Sequence, residues 1–203
     1  MTDLVENLTD SKVCVVGFAS MGEDCGGGIP PFEWARTFGD LGVSTVLMRD
    51  RHLCWYQRGV EGVGDVEDVA GYVAELRMKY DRVITVGISM GGYAAILFGV
   101  LGDATEVVAM SPQTLLRDDD RWNNHWRDHV RPVMRYEDLR PVCAGKTRLI
   151  RCYIGEVEPY FERDFAHALR VADVERIVIV PGCTHSSVGP YLRDSGFFRD
   201  LVK

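Results

Sequence analysis

Ser89 sits in Gly87-Ile88-Ser89-Met90-Gly91-Gly92, between the apolar run Val83 to Val86 and the stretch Tyr93-Ala94-Ala95-Ile96-Leu97-Phe98. The first run is strand-like and the second helix-like, so the pattern G-x-S-x-G falls at a strand-to-helix junction. A sharp turn there holds a serine hydroxyl clear of the sheet edge, and small residues on both sides let the turn close. The chemistry this suits is nucleophilic attack on an acyl carbon. A serine hydroxyl is a poor nucleophile at neutral pH. It needs a base within hydrogen-bond reach, and the base needs a carboxylate to fix its tautomer and stabilise the imidazolium.

Histidine suits the base because it titrates near working pH. The chain has His52, His125, His129, His167 and His185. His167 falls in a helix-like stretch, Pro159 to Val171, and reads as a partly exposed structural residue. His125 and His129 stand four apart in a polar segment and could share a helix face. No matching carboxylate pattern accompanies them, so no metal site is expected. His185 ends Pro181-Gly182-Cys183-Thr184-His185, after a strand-like run, where a Gly-led loop turns it back to the strand ends; it is the expected base. Two segments offer the acid. Gly155-Glu156-Val157-Glu158-Pro159 leaves the strand-like run Arg148 to Ile154 directly. After Met110 come Ser111-Pro112-Gln113 and then Asp118, Asp119 and Asp120, which read more simply as a solvated run or a helix cap.

The elements that must position these residues alternate along the chain. Strands are expected at Lys12 to Gly17, Val43 to Met48, Arg82 to Val86, Glu106 to Met110, Arg148 to Ile154 and Arg176 to Val180. Helices are expected from about Pro31 to Leu41, Val66 to Tyr80, the elbow to Leu101, Pro159 to Val171, Val188 to Leu192 and Phe197 to Val202. In the second of these, Val66, Val69, Val73 and Leu76 recur at three-to-four spacing. Strand–helix repeats with near-continuous Val/Ile/Leu strands imply an α/β fold, a mostly parallel sheet of about six strands with helices on both faces. Sites in such sheets form at the carboxyl ends of the strands. The loops carrying Ser89 and His185, and those after Gly17, Met48 and Gly155, all leave those ends.

Composition narrows the class. A chain of 203 residues fits a single domain spanning 1–203, and 46% hydrophobic residues fit a globular one. The net charge of −7 comes with no basic face, which argues against a nucleic-acid partner. No apolar run reaches eighteen residues, and the opening Met1-Thr2-Asp3-Leu4-Val5-Glu6-Asn7 lacks the basic start of a signal peptide, so a cytoplasmic protein without membrane partners is expected. None of the six cysteines forms a C-x-x-C pair. Cys14 and Cys152 lie in apolar runs as buried thiols, and Cys183 reads as a small loop residue. Gly26-Gly27-Gly28 lacks the G-K-[ST] ending of a phosphate loop and reads as a flexible loop, so no cofactor is expected.

The order serine, acid, histidine over nearly the whole chain resembles the α/β-hydrolase superfamily, here a small, nearly lidless serine hydrolase. In that superfamily the acid often follows a strand as Gly-x-x-Asp. Gly155-Glu156-Val157-Glu158 matches with Glu in place of Asp, so the resemblance carries the acid role to Glu158 first and Glu156 second, with Asp164 and the run Asp118 to Asp120 behind. Glu is a known triad acid. Many relatives also carry His-Gly in the loop after the first strand, where this chain has Val16-Gly17-Phe18 instead.

An oxyanion hole needs backbone N–H groups where charge develops on the carbonyl oxygen. Met90, directly after the serine, is one expected donor, and Phe18 or Ala19, after the first strand, is the other. The stretch 111–147 is a short insertion, long enough for a small helical flap. Trp55, Trp122 and Trp126 are the candidate pocket walls, suited to an acyl or aromatic substrate part. Arg49, Arg51 and Arg58 leave a strand end and read as salt-bridge partners more readily than as an anion site. The function expected is cleavage of an ester or thioester through an acyl-enzyme. The alternatives are an acyltransferase or carrier-protein thioesterase, with an acyl-carrier partner, and, behind both, a non-catalytic binding protein on the same fold.

Overall fold

A computed structural model describes residues 2–21, 32–116 and 134–203. Its strands are β1 (Leu4–Asn7), β2 (Val13–Phe18), β3 (Ser44–Met48), β4 (Arg82–Ile88), β5 (Glu106–Met110), β6 (Ile150–Gly155) and β7 (Ile177–Val180). They form one sheet in the order β1-β3-β2-β4-β5-β6-β7. Every pairing is parallel except β1 with β3. The helices are α1 (Ala35–Phe38), α2 (Val66–Lys79), α3 (Met90–Leu101), α4 (Arg140–Cys143), α5 (Phe161–Ala168), α6 (Val188–Asp194) and α7 (Phe197–Leu201).

The central strands are buried along almost their whole length, which is why they read as continuous apolar runs rather than alternating ones. Alternation returns in which face each side chain takes. Val16, Val46, Val83, Val107 and Cys152 pack with α2 and α3, whereas Val15, Leu47, Ile84, Val86 and Val108 pack on the other face with Phe38, Val188, Leu192 and Phe198. Helices therefore cover both faces, as expected.

α2 begins in a capping box: the Asp65 side chain accepts from Glu67 and Asp68 N–H, and the Asp68 side chain accepts from Asp65 N–H. It buries Val66, Val69, Val73 and Leu76, each worth about 1.5–3 kcal/mol of apolar burial. α3 is buried from Met90 to Val100 and packs on the central strands as the most apolar of the described helices.

One strand was missing from the sequence expectation. β1 carries Leu-Val-Glu-Asn with three of its four residues exposed, so it has no apolar run to betray it. Its register with β3 is extended by Asp3, whose buried carboxylate takes both Arg49, at 2.8 Å, and Arg51. Burial works to raise that carboxyl, and the hydrogen bonds from Arg51 and Arg49 outweigh it and hold it low. These two arginines are therefore salt-bridge partners, as read from the sequence. The insertion after β5 enters and leaves at one place: Leu116 N–H donates to Glu137 O and Leu139 N–H to Thr114 O, and α4 comes next. Among the described residues, no helix is long and apolar enough to cross a membrane.

Candidate active site

Ser89 joins the end of β4 to the start of α3 with φ 55° and ψ −116°, a left-handed conformation that a residue with a Cβ rarely adopts. The turn closes only because glycines flank it. A Cβ on Gly87 would collide with the carbonyl oxygen of Gly91, and one on Gly91 would collide with that of Phe18. The carbonyl of Met110, at the end of β5, accepts Ser89 N–H at 2.9 Å. The serine is thus fixed by strand β4, helix α3 and the neighbouring strand together, and strain of this kind persists only where the surroundings over-determine it.

His185 stands in the loop after β7. That loop is tied to the end of β6, since Val157 N–H donates to Cys183 O at 2.9 Å and a Cβ on Gly155 would stand 2.6 Å from Thr184 O. Four residues past His185, a Cβ on Gly189 would lie 3.7 Å from Ile88 Cδ1 and 3.8 Å from Met110 Sδ. The segment bearing His185 therefore packs against the residue that precedes Ser89. Among the described residues no hydrogen bond joins Ser89 to His185; such bonds are often long in an unliganded site and tighten with substrate bound.

The carboxylate that meets His185 is Asp164, whose Oδ2 lies 2.6 Å from Nδ1. This corrects the expectation of Glu158. Glu158 is exposed, and so is Glu156, whose Oε2 accepts Gly182 N–H at 3.2 Å. The reason is geometric. The loop after β6 does not stop at the strand edge but runs on into α5, and the first turn of that helix, not the loop, faces the imidazole. Asp164 is 1% exposed, at the position where the helix turns inward. A carboxylate can only accept, so in a neutral imidazole this contact puts the proton on Nδ1 and leaves Nε2 to accept one, the tautomer a base requires.

A second histidine, one turn along α5, is held in the opposite tautomer. His167 Nδ1 accepts Thr114 N–H at 3.1 Å, and Thr114 Oγ1 donates to His167 O at 3.0 Å. It is 2% exposed, not partly exposed as its sequence context implied. Burial pushes its pKa down to about 4, with Asp164 pulling the other way.

The expected oxyanion donors fare unequally. Met90 is the first residue of α3, so its N–H has no acceptor within the helix. Ala19 N–H is already given to Met48 O at 2.9 Å, toward β3. Strand N–H groups alternate in direction, so Phe18, opposite Gly87, turns its own N–H into the ladder with β4. Neither is available, which corrects that pair. The next residue, Ser20, donates its hydroxyl to Glu33 Oε1 at 2.5 Å and its N–H to the same carboxyl. Burial raises the Glu33 carboxyl, and those hydrogen bonds offset it only in part. Nothing in the sequence signalled this pair.

Trp55 is fully buried in the core, and its indole N–H donates to Gln113 Oε1 at 3.1 Å. It supports the loop after β5 and presents no free face to a substrate, which corrects its reading as a pocket wall. Trp122, Trp126, His125, His129, the aspartates 118–120 and the triple glycine all lie outside the described residues. Among the described residues no cluster of His, Cys, Asp and Glu has the makings of a metal site. Cys14, Cys152 and Cys183 are buried free thiols, and burial pushes Cys14 up to about 12.

No family model matches this sequence, and no curated protein is significantly similar to it. Solved structures do match. The capsule O-acetyltransferase of Neisseria meningitidis serogroup A superposes with a TM-score of 0.65 at 12% identity, over 98% of this chain and 90% of that one. A thermophilic esterase from Thermogutta terrifontis gives 0.59 at 12% identity, over 100% and 95%. A monoacylglycerol lipase from Paleococcus ferrophilus gives 0.56 at 12% identity, over 100% and 97%. The chain has the fold of the α/β-hydrolase superfamily.

Proposed function

We propose that the protein is a serine hydrolase that cleaves an ester or thioester through an acyl-enzyme. The observation that carries this reading is the Asp164–His185 contact of 2.6 Å in a segment packed against the strained turn of Ser89. Ser89 Oγ attacks the acyl carbonyl while His185 Nε2 takes its proton. The imidazolium formed is stabilised by Asp164 and then protonates the leaving oxygen or sulfur. Met90 N–H, at the N-terminus of α3, faces the charge that develops on the carbonyl oxygen. Water, activated by the same histidine, releases the acyl group. Esterases and a lipase among the structural neighbours support ester chemistry on this fold.

A fluorophosphonate probe tests the reading. Ser89 should be labelled in the native protein, Ser89→Ala should not react, and His185→Ala should slow labelling by at least about 10³-fold. Labelling indifferent to His185 would sink it.

The likeness to an O-acetyltransferase favours a second reading, in which an alcohol, amine or carrier thiol, not water, takes the acyl group. A neighbouring structure of that enzyme is a complex with CoA. Competition between water and graded concentrations of alcohols, amines and thiols separates the two. Product that is only free acid at every acceptor concentration rejects transfer.

A further inference from the structure

The residue before Asp164 closes around the same pair. Arg163 donates from Nε and Nη2 to Asp164 Oδ1, at 3.0 and 2.9 Å, while Asp164 Oδ2 serves His185. The guanidinium also lies 4.5 Å above the Tyr160 ring, and that ring stands 5.7 Å from the imidazole. Arg163 Nη2 comes within 3.0 Å of His185 Nδ1. Because Nδ1 already gives its proton to Oδ2, this last approach is not a hydrogen bond to a lone pair. It is a fixed positive charge set beside Nδ1 of the base that must itself become positive.

We propose that Arg163 is a positioning residue of this pair: by occupying Oδ1 it leaves Oδ2 to His185, and its charge beside Nδ1 opposes that of the imidazolium. The inference rests on reading His185 as the base. The charge count gives its content. With Arg163 the resting unit of arginine, carboxylate and neutral imidazole sums to zero, and proton transfer makes it +1. Without Arg163 the resting unit is −1 and holds a proton on the imidazole to higher pH. The cost is a weaker stabilisation of the imidazolium, and the gain is a base ready at lower pH.

Among the described residues, the other charged or titratable groups around His185 do not duplicate this effect. On α5, His167 is held neutral by Thr114. Arg170 is committed to Asp138 at 3.0 Å. On the His185 loop, Thr184, Ser186 and Ser187 carry no charge, and Cys183 is a buried thiol. Glu156 turns to Gly182, and Glu158 is exposed. Tyr160 meets the imidazole through its ring.

The test compares native protein with Arg163→Gln and Arg163→Lys by two readouts: NMR titration of the His185 imidazole, and the pH dependence of Ser89 labelling by a fluorophosphonate. Arg163→Gln should raise the His185 midpoint by about one pH unit, and the acidic limb of labelling should move with it. Arg163→Lys keeps the charge and loses the fork. Its midpoint should stay within about 0.3 units of native, with plateau labelling several-fold slower. A native midpoint in the Gln variant, or equal shifts in both variants, overturns the proposal. Should the Gln variant fail to fold, the Lys variant decides: a midpoint raised by a full unit overturns the proposal, and an unmoved midpoint with slower labelling supports it. Failure to label Ser89 in native protein would instead remove the hydrolase reading, while the imidazole titration would still report on Arg163.

Discussion

Ser89 and His185 reach the same end of the sheet by different physics. Ser89 is placed by the backbone: close steric fit around a tight turn and one hydrogen bond to the neighbouring strand. Gly87 and Gly91 admit the turn, Met110 O fixes the serine N–H, and the buried helix α3 locks the chain on the far side of the turn. His185 is placed by charge and hydrogen bonding from segments distant in sequence: Asp164 and Arg163 on α5 and the tie from Val157 to Cys183. One end of the site is a rigid turn that stores strain. The other is an electrostatic assembly in which a buried carboxylate, Asp164, is satisfied by the half-buried His185 and Arg163. Damage to the first should appear as lost folding, and damage to the second as lost chemistry in a protein that still folds.

The largest effect expected lies at the charged end. Asp164→Asn keeps an oxygen for Arg163 but can turn an amide N–H toward His185 Nδ1. That would favour the tautomer with the proton on Nε2, which cannot accept one from Ser89. Turnover should fall by about 10⁴-fold with the thermal midpoint changed little, by analogy with the same replacement in other triads. Glu158→Gln and Glu156→Gln should each stay within about threefold of native. Comparable losses in Glu158→Gln, read from kcat/KM on one ester, would return the acid to the loop.

This asymmetry also explains how much could be read from the sequence. The parallel sheet and the strand-to-helix turn at Ser89 were legible because short-range patterns encode them: apolar runs and G-x-S-x-G. β1 was not, because an edge strand with three exposed residues leaves no hydrophobic signature. Asp164 ranks behind two glutamates in the sequence, because a sequence does not say how far a loop runs before its helix turns a carboxylate inward. The amphipathic order of α5 was the available signal: Asp164, His167 and Ala168 share the buried stripe, three and four apart. A charged residue on that stripe needs a partner, and that partner turned out to be His185 together with Arg163. Trp55 failed as a pocket wall for the opposite reason, since its aromatic bulk went to the core.

At the rigid end, Gly91→Ala should unfold or misplace the elbow. The added methyl would meet the Phe18 carbonyl and lie 3.1 Å from Ala19 C, both backbone atoms that cannot rotate aside. A loss of about 3 kcal/mol or more is expected from denaturant unfolding, at the upper end of overpacking costs. A native-like midpoint would mean that the turn is softer than the contrast with the charged end requires.

His167 lets the same helix be probed by pH. Its pKa in the folded protein is about 4, below the ordinary 6.5. Between those values the unfolded chain binds a proton that the folded chain refuses, so this contribution to stability is present above about pH 6.5 and is lost as pH falls toward 4. The window corresponds to on the order of 3 kcal/mol. His167→Gln, whose amide oxygen can still accept Thr114 N–H, should flatten that part of the stability–pH curve. An unchanged slope would assign acid sensitivity elsewhere.

The smallest effect sharpens the comparison most directly, because it improves the protein as a folded object while destroying the proposed chemistry. Ser89 holds φ 55° with a side chain that disfavours it. Ser89→Gly removes the Cβ responsible and should raise stability by about 1 kcal/mol, the lower range for a residue freed from such a conformation, even after the added chain entropy of glycine. Ser89→Ala keeps the Cβ and should not gain by that route. The pair therefore separates strain from the loss of a hydroxyl. If glycine and alanine prove equally stable, the turn stores no strain at Ser89, and the hydroxyl's position owes its precision to packing alone.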